Sequence, residues 1–278
     1  LVTGVQTCAL PILSFARQTV LKHFQEKVPS EYVFTLDDDL CLLEYKWGVH
    51  PKNGNEMYLQ IPRNDVLQLL DEFMSFNKRL PEWDKVGISS FDYNQFGWTN
   101  LNKFPPNGEL ETCTEVKKVC SNFSHADCAV MLRPLLYKKL GIIYDGQAPL
   151  KEDRDLNAQV CYHGYYSRKL FKYLMISPLN STNKGGCSTF YKTEGYCKKS
   201  CDYLSEKWNH TYPKAELAMP QTKNTSYDRT FDVKFWWQRF YNARVKGLIQ
   251  EEVITKDVFP EIINNYKSYL DYIANNAE

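Results

Sequence analysis

The sequence predicts an α/β protein, and three observations support that prediction. Helix-like and strand-like apolar patterns alternate along most of the chain, as they do in proteins built from α/β units. The strand-like run at 32–36 leads directly into three consecutive carboxylates, Asp37, Asp38 and Asp39. A second acidic cluster, at 151–155, opens a later helical pattern. We therefore expect an α/β core with charged groups at the ends of its elements.

The first half of the core follows from apolar spacing and from its breaks. A helix is predicted at 13–25 with Ser14 as its N-cap, and a buried strand at 32–36. A second amphipathic helix is expected at 66–76. A strand at 85–91 then leads into a long loop rich in Asn, Gly and Pro at 92–111.

The second half of the core alternates again. Glycines that follow the last periodic residue predict the ends of two helices, one at Gly141 and one at Gly164. The four elements expected here are a strand at 127–132, a helix at 134–140, a helix at 155–163 and a strand at 167–176.

These patterns divide the chain into three parts. Residues 2–12 resemble a translated sequencing adapter, so 1–12 is set aside as an artefact. Residues 13–176 form the predicted core, and 177–278 form an extension. The extension is expected to begin as a Cys- and Asn-rich loop and to end in two helices, at 233–248 and 256–273.

The amino-acid composition limits the classes of protein to which this chain can belong. The chain has 278 residues, of which 43% are apolar and 24% charged, with a net charge of +1, as in ordinary globular proteins. Lys and Arg are scattered, which gives no strong nucleic-acid signal, and no apolar run is long enough for a membrane segment.

Cysteines and glycosylation motifs favour an oxidising compartment. Eight cysteines lie outside the adapter, and four Asn-x-Ser/Thr motifs begin at Asn122, Asn180, Asn209 and Asn224. We expect a disulfide-containing glycoprotein of the Golgi or ER lumen, or a secreted one, over a nuclear or cytoplasmic protein. Eight buried thiols in a reduced protein are the alternative.

The acidic strand end favours a metal site. Adjacent carboxylates repel each other and are costly to desolvate, so a cation usually offsets them. An Asp-x-Asp pair suits Mn²⁺ or Mg²⁺, which bind carboxylate oxygens and leave positions open for phosphate oxygens. The cluster at 151–155 lies at a helix start, where the helix dipole stabilises carboxylates. The alternative for Asp37–Asp39 is a solvated turn.

The ordered motifs resemble the GT-A-fold, DxD-containing nucleotide-sugar glycosyltransferases. The matching stretches are LSFARQTVL, EYVFTLDDDL, DCAVMLRP and KEDRDLNAQVCYHG. The TET/JBP-associated branch, which glycosylates modified DNA bases, is one placement among others. The resemblance implies a GT-A-like (Rossmann-like) mixed sheet flanked by helices. It also implies that the adapter replaces the first strand, so that this fragment would lack part of the donor site and could be inactive even if its parent is an enzyme.

The resemblance implies roles for individual residues. The metal would be held by Asp37, Asp39 and His210, and Asp153 would be the general base, with Glu152 and Asp155 beside it. Donor contacts would come from Asp37, Asp38, Arg17, Gly185 and Gly186, and acceptor contacts from Phe96 and Trp98. The partners would be a nucleotide-sugar donor and a glycan, protein or modified-base acceptor. A base at Asp153 favours an inverting reaction.

Several alternatives remain open at this point. A nucleotidyltransferase or phosphatase, and an inactive binding module whose acids are structural, are the competing functions. Gly185 and Gly186 also fit a plain turn. His163 fits a structural role at a helix end better than metal binding. The aromatic cluster at 235–240 fits core packing better than a sugar-stacking platform.

Overall fold

The structure, a computed structural model, describes residues 10–37, 41–49, 56–60, 66–95, 114–115, 120–148, 150–177, 196–208, 216–218 and 232–247. The chain is mixed α/β, as predicted, and its segments sort into two compact units. Unit 1 comprises Leu1–Glu31, Pro134–His163 and Lys184–Glu278, and unit 2 comprises Tyr32–Arg133 and Gly164–Asn183. The predicted three-part division along the chain stays a prediction.

Unit 2 contains a mixed eight-stranded sheet. Its strands are β1 (Val33–Leu36), β2 (Cys41–Val49), β3 (Glu56–Gln60), β4 (Val86–Gln95), β5 (Thr114–Glu115), β6 (Cys120–Ser121), β7 (Ala129–Leu132) and β8 (Tyr166–Ser177). The strand order is β1-β7-β4-β8-β2-β3, with β5 on β2 and β6 on β8. The central pair β4 and β8 is parallel, and the other pairs are antiparallel.

An aromatic stack holds helix α2 (Val66–Arg79) to this sheet. Phe73 is fully buried and lies parallel to Phe91 of β4, with ring centroids 4.6 Å apart. Its ring also contacts Tyr173 of β8 at 5.4 Å and Phe34 of β1 at 5.5 Å. Burying a side chain of this size stabilises a fold by roughly 1.5–3 kcal/mol. The interior of unit 2 is therefore mainly apolar and aromatic.

Unit 1 is mainly helical. Its helices are α1 (Leu10–Glu26), α3 (Pro134–Leu140), α4 (Glu152–Tyr162), α5 (Tyr196–Lys207) and α6 (Trp237–Val245), and β9 (Glu216–Ala218) pairs with β10 (Asp232–Lys234). Trp208, Phe235 and Phe240 are buried in one cluster, and Trp237 stacks on Phe235 at 5.0 Å. The prediction that the aromatic cluster at 235–240 packs in a core is confirmed.

The predicted helices and strands of residues 13–176 are confirmed with shifted ends, and four local predictions are wrong. Ser14 is not an N-cap, because α1 begins at Leu10. The loop expected from Asp92 begins later, because β4 continues pairing with β8 as far as Gln95. The helix expected from Val233 begins at Trp237, because 232–234 pairs with β9. The fourth error concerns 196–207, which is the helix α5 and not a loop.

Helix α5 lies in the segment that was predicted as a Cys- and Asn-rich loop. Cys197, Cys201, Leu204 and Trp208 recur with helical spacing, and all four are buried. They form the buried face of the helix, so each cysteine acts as a small apolar residue.

Candidate functional site

Strand β1 brings Asp37 to the end of the unit 2 sheet. The register of β1 with β7 runs from Val33↔Leu132 to Leu36↔Ala129. One further hydrogen bond, from the Asp37 backbone N to the Cys128 O at 3.1 Å, continues the pairing beyond the strand. The Asp37 backbone is therefore fixed by β7, while its side chain is half-buried.

The prediction that the 32–36 strand is buried is wrong. Residues 33–35 are half-buried and Leu36 is 39% exposed. Among the described strands β1 stands at one end of the order and pairs only with β7, so its other edge is not covered by a strand. The half-buried carboxylate of Asp37 consequently needs less compensation for desolvation than one at the end of a central strand.

Most of the other residues predicted for donor, acceptor and metal binding lie outside the described residues. These are Asp38, Asp39, Phe96, Trp98, Gly185, Gly186 and His210. Within the described ranges, no group of three or more His, Cys, Asp or Glu side chains is arranged to hold a metal ion. The Mn²⁺ or Mg²⁺ site therefore stays a prediction.

The second acidic cluster forms the first turn of α4 in unit 1. The helix begins at Glu152, three residues earlier than predicted, so Glu152, Asp153 and Asp155 all lie in its first turn. The residue before it, Lys151, has a left-handed backbone (φ 69°) and makes no side-chain capping hydrogen bond. The helix dipole favours carboxylates here, but conventional capping does not hold the turn.

Two predicted site residues meet in this turn. The Arg17 Nη1 of α1 donates to the Glu152 Oε1 at 2.7 Å. The side chain of Glu152 is only 7% exposed, and that of Arg17 is 21% exposed. A residue predicted to contact the donor is thus ion-paired with a residue predicted to assist the base.

Asp155 lies in the interior of unit 1. Its Oδ1 accepts a hydrogen bond from the Trp208 Nε1 at 2.9 Å. Its Oδ2 accepts from the Lys207 Nζ and the Gln159 Nε2, both at 2.7 Å. The side chain is completely buried, and both of its oxygens are used inside the unit.

Lys207 joins Asp155 to a second buried carboxylate, that of Asp145. The Lys207 Nζ lies 2.7 Å from an oxygen of each, and the Asp145 Oδ2 also accepts from the Tyr203 hydroxyl at 2.6 Å. We name Asp145, Asp155 and Lys207 the buried triad. Its two acids and one base lie on three segments of unit 1, so it links those segments.

Burial and charge act in opposite directions on the pKa values of the triad. Burial raises the pKa of Asp155, whereas the Lys207 ammonium lowers it, and burial prevails. Burial also lowers the pKa of Lys207, but the Asp155 and Asp145 carboxylates together raise it by more, so its pKa is raised. Burial, followed by the hydrogen bond to Asp145, raises the pKa of Tyr203.

The sequence did not indicate Asp145 or Lys207. Asp145 precedes Gly146, a pair typical of an exposed turn, and Lys207 follows Glu206 near a helix end. They are 62 positions apart, and no local pattern predicts such a pairing. Trp208 beside Lys207 was the one available signal, because a buried indole N–H requires an acceptor.

Asp153, the predicted base, is half-buried. Its Oδ1 accepts a hydrogen bond from the Arg154 backbone N at 2.9 Å, and its carbonyl O accepts from the Asn157 Nδ2 at 2.7 Å. Arg154 in turn donates from its Nη1 to the Val233 O at 3.0 Å. Asp153 is therefore less buried than Glu152 and Asp155, the other two acids of this turn.

Five cysteine side chains are described, and all of them are thiols: Cys120, Cys128, Cys161, Cys197 and Cys201. Cys161, Cys197 and Cys201 belong to the apolar core of unit 1, which matches the alternative of buried thiols for these three. The disulfide prediction remains for cysteines whose side chains are not described. Of the four glycosylation motifs, only that at Asn122 falls within the described residues.

None of the known family models matches this chain. No curated protein and no solved structure matches it either. No helix in the described part of the chain is long and apolar enough to cross a membrane.

Proposed function

We propose that this protein is a metal-dependent glycosyltransferase that moves a sugar from a nucleotide-sugar donor to an acceptor hydroxyl. The observation that supports the proposal most is the position of Asp37 directly after strand β1. The backbone of Asp37 is bonded to Cys128, so the acidic segment 37–39 starts from a fixed point at the end of a sheet strand. An aspartate fixed at its backbone and half-buried at its side chain suits a ligand of a hard cation.

In this proposal the acidic segment binds the donor. Asp37 and Asp39 would hold Mn²⁺ or Mg²⁺, and Asp38 would lie beside the nucleotide. When bound, the metal supplies Lewis-acid stabilisation of the nucleoside diphosphate that leaves. His210, Gly185 and Gly186 remain candidates for completing the donor side, and Phe96 and Trp98 for contacting the acceptor.

The first turn of α4 activates the acceptor. Asp153 is the carboxylate of that turn whose burial is incomplete, so it is the one suited to accept a proton from an acceptor hydroxyl. The positive end of the α4 dipole favours negative charge at this position of the helix. Attack by the activated hydroxyl on the sugar carbon would invert its configuration.

The test is turnover of a panel of nucleotide sugars with Mn²⁺, using protein that starts from the native N-terminus. Asp39→Ala is expected to abolish both donor hydrolysis and transfer. Asp153→Asn is expected to lower transfer by roughly 10²–10⁴-fold, the usual contribution of a general base. The matched controls are Asp84→Ala, at an exposed acid of unit 2, and Asp202→Asn, at an acid of unit 1 whose side chain is 46% exposed.

The outcomes separate the competing functions. Loss of activity in the two site variants, with normal activity in the controls, supports the glycosyltransferase. Turnover of nucleoside triphosphates or phosphomonoesters in place of nucleotide sugars indicates a nucleotidyltransferase or a phosphatase. The proposal is contradicted if the unsubstituted protein and both site variants are equally active. It is also contradicted if the unsubstituted protein shows no activity with any donor.

A further inference from the structure

The three side chains that flank Asp153 each tie the first turn of α4 to a different element of unit 1. On one side, Glu152 pairs with Arg17 of α1 at 2.7 Å. On the other, Arg154 donates to the Val233 O of β10 at 3.0 Å. Asp155 binds Lys207 of α5 at 2.7 Å. The turn that carries Asp153 is therefore held from three directions.

These three contacts hold the first turn of α4, where the N-cap residue makes no side-chain capping hydrogen bond. A Ser, Thr, Asn or Asp at the N-cap normally fixes a first turn by accepting a backbone hydrogen bond. Here the N-cap is Lys151, in a left-handed conformation that costs free energy for a residue with a side chain. Contacts with other elements replace the missing cap, so they determine where the turn lies.

The contacts made by Lys207 and by Arg154 differ in burial, so each can be tested separately. Lys207 and Asp155 have side chains that are 4% and 0% exposed. Arg154 is half-buried and bonds to a neutral carbonyl. Removal of Lys207 leaves two buried carboxylates without their cation, whereas removal of Arg154 takes away a hydrogen bond to a neutral carbonyl oxygen. Arg154 can therefore be changed with little risk to folding.

We infer that Arg154 and Lys207 are positioning residues that hold the Asp153 carboxylate in its reactive location. Lys207 acts through Asp155, and Arg154 acts through the backbone it shares with Asp153. The catalytic part of this assignment rests on the proposed function, whereas the structural part does not. The printed contacts of both side chains lie inside unit 1, so their loss is expected to change where Asp153 lies and not how the donor binds.

The experiment combines kinetics with amide hydrogen exchange on the full chain. Arg154→Met is expected to lower kcat by roughly tenfold or more, because small displacements of a catalytic group are costly. The KM for the donor stays within about twofold, because the donor contacts are unaltered. Amide exchange over 153–157 accelerates in the same variant. Arg154→Lys, which keeps a donor, recovers part of both effects.

Lys207→Met is the second variant, and Lys198→Met is its matched control. Lys198 lies on the same helix in an exposed pair with Asp202, so its loss leaves α4 unchanged. Exchange over 153–157 is expected to accelerate in Lys207→Met and not in Lys198→Met. If Lys207→Met does not fold, the Arg154 variants alone decide.

The two proposals fail in different ways. Exchange over 153–157 that equals the parent's in Arg154→Met overturns the positioning role, whatever the kinetics show. A kcat in Arg154→Met equal to the parent's overturns the catalytic part of the inference. Parent activity that Asp39→Ala and Asp153→Asn leave intact overturns the proposed function, while accelerated exchange still supports the structural ties.

Discussion

Unit 2 buries an aromatic stack, whereas unit 1 buries ion pairs beside its apolar core. In unit 2, Phe73, Phe91 and Tyr173 pack on one another between α2 and the sheet. In unit 1, Asp145, Asp155 and Lys207 are almost completely buried and directly bonded. Apolar contacts tolerate small shifts, but a buried charge must keep its partner. We therefore expect unit 1 to respond more sharply to single substitutions at polar positions.

Among the described residues of unit 2 one charged side chain is buried, that of Arg168, and its hydrogen-bond partners differ from those of the buried triad. The guanidinium of Arg168 is 1% exposed and donates to Asn122 Oδ1 at 2.7 Å, Asn77 Oδ1 at 3.2 Å and Pro81 O at 2.7 Å. These acceptors, and the Asn77 O to which Arg168 also donates at 3.5 Å, are neutral. Burial lowers the pKa of Arg168. The two units thus offer a comparison between a buried ion pair and a buried cation with neutral acceptors.

The largest effect is expected from Lys207→Met. The change leaves Asp145 and Asp155 buried without their cation, which should lower the free energy of unfolding by about 3–5 kcal/mol. Urea unfolding followed by far-UV circular dichroism measures it. Lys198→Met, on the same helix and 48% exposed, should change the value by less than about 0.5 kcal/mol. If Lys207→Met lowers the free energy of unfolding no more than Lys198→Met does, unit 1 is not the unit more sensitive to substitution at buried polar positions.

Arg168→Met in unit 2 should cost less. It removes the hydrogen bonds of Arg168 to neutral acceptors but leaves no uncompensated buried charge, so a loss of about 1–3 kcal/mol is expected. The same unfolding measurement applies, with Arg79→Met on the exposed face of α2 as the control. A loss larger than that of Lys207→Met would show that the ion pairs of unit 1 are not its more sensitive feature.

The smallest effect is a pH dependence confined to unit 1. The pKa of Lys207 is raised above its ordinary value of 10.5, so it is higher in the folded than in the unfolded chain. Its stabilising contribution is complete below that ordinary value and is lost as pH rises through the folded pKa. Parent stability should fall by up to about 1.4 kcal/mol per pH unit in that alkaline range.

Lys207→Arg provides the control for this titration, because arginine stays charged throughout the range. The alkaline loss seen in the parent should be absent or reduced in this variant, whatever its stability at neutral pH. Identical alkaline profiles would assign the loss to other groups.

The difference between the units also shows what the sequence could predict. Periodic patterns identified α2, β4, β7 and β8, because apolar burial repeats along each element. Gly141 correctly marked the end of α3, since its backbone has φ +70°. Features that depend on neighbours in sequence were thus accessible from sequence alone.

The buried ion pairs of unit 1 could not be predicted from the sequence in this way. Arg17 and Glu152 are 135 positions apart, and Asp155 and Lys207 are 52 apart. Each acid and base alone is typical of a solvated helix surface, and only the tertiary fold pairs them. The acids of 151–155 were correctly placed at a helix start. That Glu152 and Asp155 turn inward while Asp153 stays half-buried required the structure.

A Mn²⁺ titration followed by electron paramagnetic resonance, with a nucleoside diphosphate present, tests most directly where the metal binds. The claim tested is that the acidic segment after β1 binds the metal and that the first turn of α4 does not. We predict that the parent and Asp153→Asn bind Mn²⁺ equally and that Asp39→Ala does not bind it. Equal binding by the parent and Asp39→Ala would contradict the claim.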